Sequence, residues 1–178
     1  MLTEAHRAVE LDPLSPSCLS DEGRILYRAR QYERAIADYK RALEIEPAYL
    51  PALSRIAEAY EQEGRLDDAL AYVRQYQKQA FNPRLALAYF ARIYADMGKR
   101  HEAMRVLKEI DTARDLARNE RKMISAYAAL GGRDRALTLL DRAVKERSVL
   151  PFIFVDPQLD PLRSDPRYNE LVHRVGLR

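Results

Sequence analysis

Apolar side chains recur along most of the chain at intervals of three and four residues, the spacing that lines one face of an α-helix. Leu53, Ile56, Ala57 and Tyr60 make one such stripe, and Leu87, Phe90, Ala91 and Tyr94 make another. Shorter stripes, such as Ala103, Met104 and Leu107, fall between them. The pattern predicts eight helices in four pairs: 17–29 with 32–46, 50–62 with 66–80, 83–96 with 100–113, and 117–130 with 133–147.

The pairs repeat. Gly64, Gly98 and Gly131 lie 34 and 33 residues apart, and each is followed five positions on by a small residue: Ala69, Ala103 and Ala136. Ala35 extends the series backward by 34, with Arg30 where the glycine would stand. A second column holds Leu26, Tyr60, Tyr94 and Tyr127, and a third holds Tyr39, Val73, Leu107 and Leu140. Pro13 and Pro47 close two of the units. Agreement of several columns on one period is the signature of a repeat architecture. Glycine at each reversal supplies the positive φ that a tight turn needs, and the small anchor lets two helices close on one another. A lone hairpin cannot bury its stripe, so neighbouring hairpins must stack.

On these columns the chain resembles the tetratricopeptide-repeat (TPR) family, over nearly its whole length. The second unit, LSRIAEAYEQEGRLDDALAYV, places Leu53, Ile56, Ala57 and Tyr60 at the first-helix signature positions, with Ala69 and Val73 in the second helix. There are departures. Leu19, Leu53, Leu87 and Glu120 stand where tryptophan is common, and Glu22 stands where leucine is expected. The closing proline is missing after the third and fourth units.

The resemblance implies an all-α fold, a right-handed superhelical solenoid of antiparallel helix hairpins with a capping helix at its end. Residues 1–178 are expected to form a single array. Its repeats are 16–49, 50–83, 84–116 and 117–149, preceded by the second helix of a truncated repeat (1–13) and followed by a capping segment, 150–178. Ala8 and Pro13 recur at Ala42 and Pro47, so the sequence reads as beginning in mid-repeat, as a fragment of something longer would. In the tail, Asp156, Asp160 and Asp165 each precede a proline, the arrangement of an N-cap with proline at the first helical position. The last pair predicts a helix to about Val175 with Leu171, Val172 and Val175 facing inward. This ending resembles that of bacterial regulators in which a TPR array follows a winged-helix, kinase or cyclase domain.

Composition narrows the function. The 30 basic and 27 acidic residues give a net charge of +3, a mild excess for a nucleic-acid binder. That leaves a nucleic-acid-binding helical repeat as the weaker alternative. No apolar run is long enough to span a membrane, and the amino terminus lacks the layout of a signal peptide. The expected location is the cytoplasm, or the periplasm if a preceding part spans the membrane. His6, His101 and His173 are scattered, Cys18 is the single cysteine, and no glycine-rich phosphate loop is present. No enzymatic activity, cofactor or metal site is expected.

In TPR proteins the first helices face the concave side, where ligands usually lie. Carried onto this sequence, that stripe offers Arg24, Tyr27, Arg28, Arg55, Glu58, Tyr89, Arg92, Arg121 and Lys122 as the partner-binding groove, with Arg118 beside them. Arginine grips carboxylates through two parallel hydrogen bonds, and tyrosine adds amphipathic contact area. The partner is therefore expected to be a protein or peptide, acidic in character, held in the groove of an interaction scaffold.

Overall fold

The computed structural model describes residues 2–111, 116–147 and 151–176, without the side chains of 111, 116–119, 151 and 152. The chain divides into two compact units, Met1–Ala86 and Leu87–Arg178.

The first unit holds α1 (Leu2–Leu11), α2 (Pro16–Arg28), α3 (Tyr32–Ile45), α4 (Leu50–Gln62) and α5 (Leu66–Gln79), then a 3-10 turn at Pro83–Ala86. Helices α2 with α3 and α4 with α5 form hairpins, and α3 packs on α4 to join them. The second unit holds α6 (Leu87–Asp96), α7 (Arg100–Asp111), α8 (Leu116–Ala129) and α9 (Arg133–Lys145). Its tail follows as 3-10 turns at Pro151–Val155 and Pro157–Leu162 and a final helix, α10 (Pro166–Arg174). No strand occurs among the described residues. The expected helices fall within a few residues of these bounds, with one difference: the helix expected at 83–96 begins as a 3-10 turn and becomes α-helical at Leu87. The expected end of the 100–113 helix lies outside the described residues.

Each hairpin reverses through one device. A residue with positive φ ends the first helix: Arg30 (62°), Gly64 (72°), Gly98 (72°) and Gly131 (75°). The next amide then donates back to the carbonyl of the second column: Gln31 to Leu26 (2.9 Å), Arg65 to Tyr60 (2.9 Å), Lys99 to Tyr94 (2.8 Å) and Gly132 to Tyr127 (2.8 Å). This is a Schellman closure, which satisfies carbonyls the helix end would otherwise leave open. The column residue thus sits at a fixed point of the turn, and its side chain is delivered to the core. Tyr60 is buried and stacks on Tyr72 at 5.6 Å, with the Arg65 guanidinium 4.3 Å from its ring centre.

The small anchors Ala35, Ala69, Ala103 and Ala136 are fully buried. In the first hairpin Gly23 provides a further close approach, because a Cβ there would lie 2.6 Å from the Tyr39 ring. The two departures from the apolar signature are each answered by a hydrogen-bonding partner. Buried Glu22 accepts from His6 Nδ1 at 2.9 Å, and buried Glu120 from Arg142 at 2.7 and 3.0 Å. A buried carboxylate is tolerated where such a partner is present.

The tail completes the core of the second unit. Ile153, Phe154, Leu159, Leu162, Tyr168 and Leu171 join Met123, Ile124, Leu137 and Leu140 in one apolar cluster, with Val172 and Val175 packed at its edge. Asp156 and Asp165 act as N-caps, accepting from the amides of Gln158 and Arg167 at 3.0 Å each. Pro161, by contrast, lies inside the 3-10 turn, so the middle Asp-Pro pair opens no element.

Candidate functional site

The groove residues expected from the sequence fall on α2 and α4 in the first unit and on α6 and α8 in the second. In the first unit, Arg24 and Arg55 come from successive first helices and converge on one carboxylate: each guanidinium lies 3.3 Å from Asp21 Oδ1. Arg55 also donates to the backbone oxygen of Ser20 at 3.0 Å and to its hydroxyl at 2.6 Å. The side chains of Arg24 and Arg55 remain 35% and 26% exposed, and Asp21 is 54% exposed, so the cluster is open to solvent. Arg28 is half-buried at the end of α2. Tyr27 is buried, its ring 5.6 Å from that of Tyr32, and Glu58 is buried on α4. A cleft of about 360 Å³ adjoins Arg24 and Asp21, lined on its apolar side by Ala5, Ala8, Cys18 and Ile25.

In the second unit, Tyr89 of α6 is half-buried and carries the Lys122 ammonium 4.9 Å from its ring centre. Lys122 is itself buried and donates to Gln158 Oε1 at 2.7 Å. Arg92 is buried beside Asp96, with which it is paired along α6. Arg121 pairs with Asp156 at 2.6 Å and keeps 38% of its side chain exposed. The side chain of Arg118 lies outside the described residues. Of the expected stripe, then, Arg24, Arg28, Arg55, Tyr89 and Arg121 reach solvent, whereas Tyr27, Glu58, Arg92 and Lys122 are buried.

These contacts share a spacing. Arg55 reaches residues 34 and 35 positions away, Arg121 reaches 35, and Lys122 reaches 36. Each is about one repeat length: Arg55 bonds its counterpart position on the neighbouring first helix, and Arg121 and Lys122 bond the tail at the same offset. Asp156 and Gln158, read from the sequence as belonging to a capping element, are the partners in the second unit, and only their one-repeat offset from Arg121 and Lys122 signals it. Among the described residues no group of three or more His, Cys, Asp or Glu is placed to hold a metal ion, and no helix is long and apolar enough to cross a membrane.

Stacked helix hairpins with small-residue crossings and Schellman turns define a helical-repeat protein. Residues 26–89 match the family model described as Tetratricopeptide repeat. Among the solved structures similar to this chain are two TPR proteins. The crystal structure of YrrB, "a TPR protein with an unusual peptide-binding site", aligns with a TM-score of 0.56 at 13% identity, covering 98% of this chain and 92% of that one. TTC0263, a thermophilic TPR protein of Thermus thermophilus, aligns with a TM-score of 0.65 at 22% identity, covering 97% and 89%. At such identities the likeness is one of fold. TPR folds commonly mediate protein–protein interaction and are generally non-enzymatic scaffolds, which directs attention to protein or peptide partners.

Proposed function

We propose that this chain is a protein-interaction module, and that the first-helix face of residues 1–86 takes an acidic segment, extended or helical, of a partner protein. The observation that carries this reading is the convergence of Arg24 and Arg55 on the Asp21 carboxylate. Two guanidinium groups from different helices, that of Arg55 oriented by Ser20 and both partly open to solvent, suit the charge-assisted hydrogen bonds that an incoming carboxylate makes. The adjoining cleft offers an apolar seat beside them. The resemblance of the tail to the ending of bacterial regulators supports a role as the recruiting or sensing part of a larger regulatory protein.

The test begins with a partner captured from the native host and identified by mass spectrometry. Binding of Arg24→Glu with Arg55→Glu is then compared with the parent at two salt concentrations. The reversed charges weaken binding by removing attraction and adding repulsion, more at low salt than at high. Undiminished affinity in the double variant overturns the assignment of this face. A slope of affinity against salt as steep as that of several released counterions would instead point to nucleic acid.

A further inference from the structure

We infer that Asp156 serves as a built-in acidic ligand for Arg121, so that the tail holds the first-helix face of the second unit closed to carboxylates from outside. The inference rests on the reading of that face as a carboxylate-binding one, and concerns residues 87–178 only.

The contact has about the sequence offset of the one in the first unit but a different origin. Arg55 is met by Ser20 and Asp21 from another first helix. Arg121 is met by Asp156, which belongs to no α-helix and stands at the head of the Pro157–Leu162 turn. That turn packs on α8, which places it alongside the helix as the next first helix would lie. Gln158 reinforces the placement by accepting from Lys122 at 2.7 Å, while Lys122 lies over the Tyr89 ring. Two adjacent cations of α8 are thus engaged by two residues of the tail, 35 and 36 positions downstream.

The two engagements differ in accessibility. Lys122 and Gln158 are both buried, so their bond belongs to the packed interior. At the other contact Arg121 is 38% exposed and Asp156 only 12%. A solvent-facing guanidinium whose carboxylate partner sits beneath it can exchange that partner for one on a bound segment. Asp156 has a second duty, since its Oδ1 also accepts from the Gln158 amide. The two duties are separable: asparagine caps a helix start as well as aspartate does, but carries no charge.

Asp156→Asn is therefore expected to keep the turn and release Arg121. The probe is a tetraglutamate peptide, titrated into isotopically labelled full-length protein and followed at the Arg121 side-chain Nε–H and the backbone amides of α8. The variant is expected to bind the probe about twofold to fivefold more tightly at these signals, the worth of one partly exposed ion pair. Adding Arg121→Gln abolishes the gain. Asp156→Ser, which also caps, is the second variant should the first disturb the tail, and the α10 amides report whether the tail is in place. Equal affinity in both capping variants with α10 intact overturns the inference, as does a gain that persists without Arg121. Failure here is distinct from failure of the first-unit reading, because charge reversal at Arg24 and Arg55 leaves the Arg121 signals untouched.

Discussion

The two units solve the same packing problem with different materials. In the first, the core is filled by α-helices: Leu19, Leu26, Tyr39, Leu53, Ile56 and Tyr60 all project from α2, α3 and α4. In the second, part of the same task falls to 3-10 turns, which supply Ile153, Phe154, Leu159 and Leu162, and to the short helix α10 with Tyr168 and Leu171. The Tyr168 hydroxyl donates to the Phe154 carbonyl at 2.9 Å and ties α10 to the first of those turns. What a stacked repeat needs from its neighbour is apolar side chains and polar partners at the right offset; a continuous helix is only one way to deliver them. The price of the irregular solution is that each short element must carry its own cap.

Removing residues 151–178 is the harshest test of this contrast. The cut strips from Met123, Ile124, Leu137 and Leu140 the part of their cover that the tail supplies. Amide protection in α8 and α9 is expected to collapse, with aggregation, while α2, α3 and α4 exchange as in the parent. An unchanged melt and unchanged protection in α8 and α9 would show the tail to be a loose extension.

A milder test compares equivalent tyrosines. Tyr60 is 2% exposed, whereas Tyr94 is only partly buried and stacks on Phe90 at 6.1 Å. Tyr60→Ala is expected to lose roughly 3–5 kcal/mol, as other buried aromatic truncations do. Tyr94→Ala is expected to lose less, and equal losses in chemical denaturation would mean that the two columns are packed alike.

The smallest effects come from protons, with opposite signs in the two units. Hydrogen bonding to Glu22 raises the pKa of His6, so the contribution of that pair to stability is present below the ordinary histidine value and fades as pH rises through the raised one. Hydrogen bonding from Arg167 holds Asp165 down at about 2, so its contribution is present above the ordinary aspartate value and fades as pH falls toward about 2. Chemical shifts of the His6 ring and the Asp165 carboxyl follow both directly. A His6 midpoint at or below its ordinary value contradicts the first, and an ordinary Asp165 midpoint contradicts the second.

Much of the repeat was legible from residue spacing alone. The glycine, alanine and tyrosine columns mark a turn, a crossing and a helix end, each set by local geometry that recurs with the period. The solvent-facing stripe was legible only in part. Arg92 and Lys122 have the composition and spacing of exposed groove residues, yet both are buried, Arg92 pairing with Asp96 at the surface and Lys122 with Gln158 in the interior. Gln158 lies a full repeat from Lys122, and no helical periodicity announces a partner at that distance. The tail was legible at Asp156 and Asp165, where a cap is a matter of adjacent residues. It was not legible at Asp160, where the same dipeptide falls inside a turn already begun.

The reversal at the end of α2 uses arginine where the other three use glycine, with a φ of 62° against 72°, 72° and 75°. Left-handed backbone disfavours an L side chain by on the order of 1 kcal/mol. Around Gly64, Gly98 and Gly131, however, nothing lies within 4 Å of where a Cβ would sit. The bends of these hairpins are therefore steric vacancies at the periphery: the penalty for decorating them stays in the backbone of one residue and never reaches the interior. A side chain or a chemical label at these corners would leave the packing between hairpins undisturbed, and Arg30 is an instance of that tolerance already present in the chain.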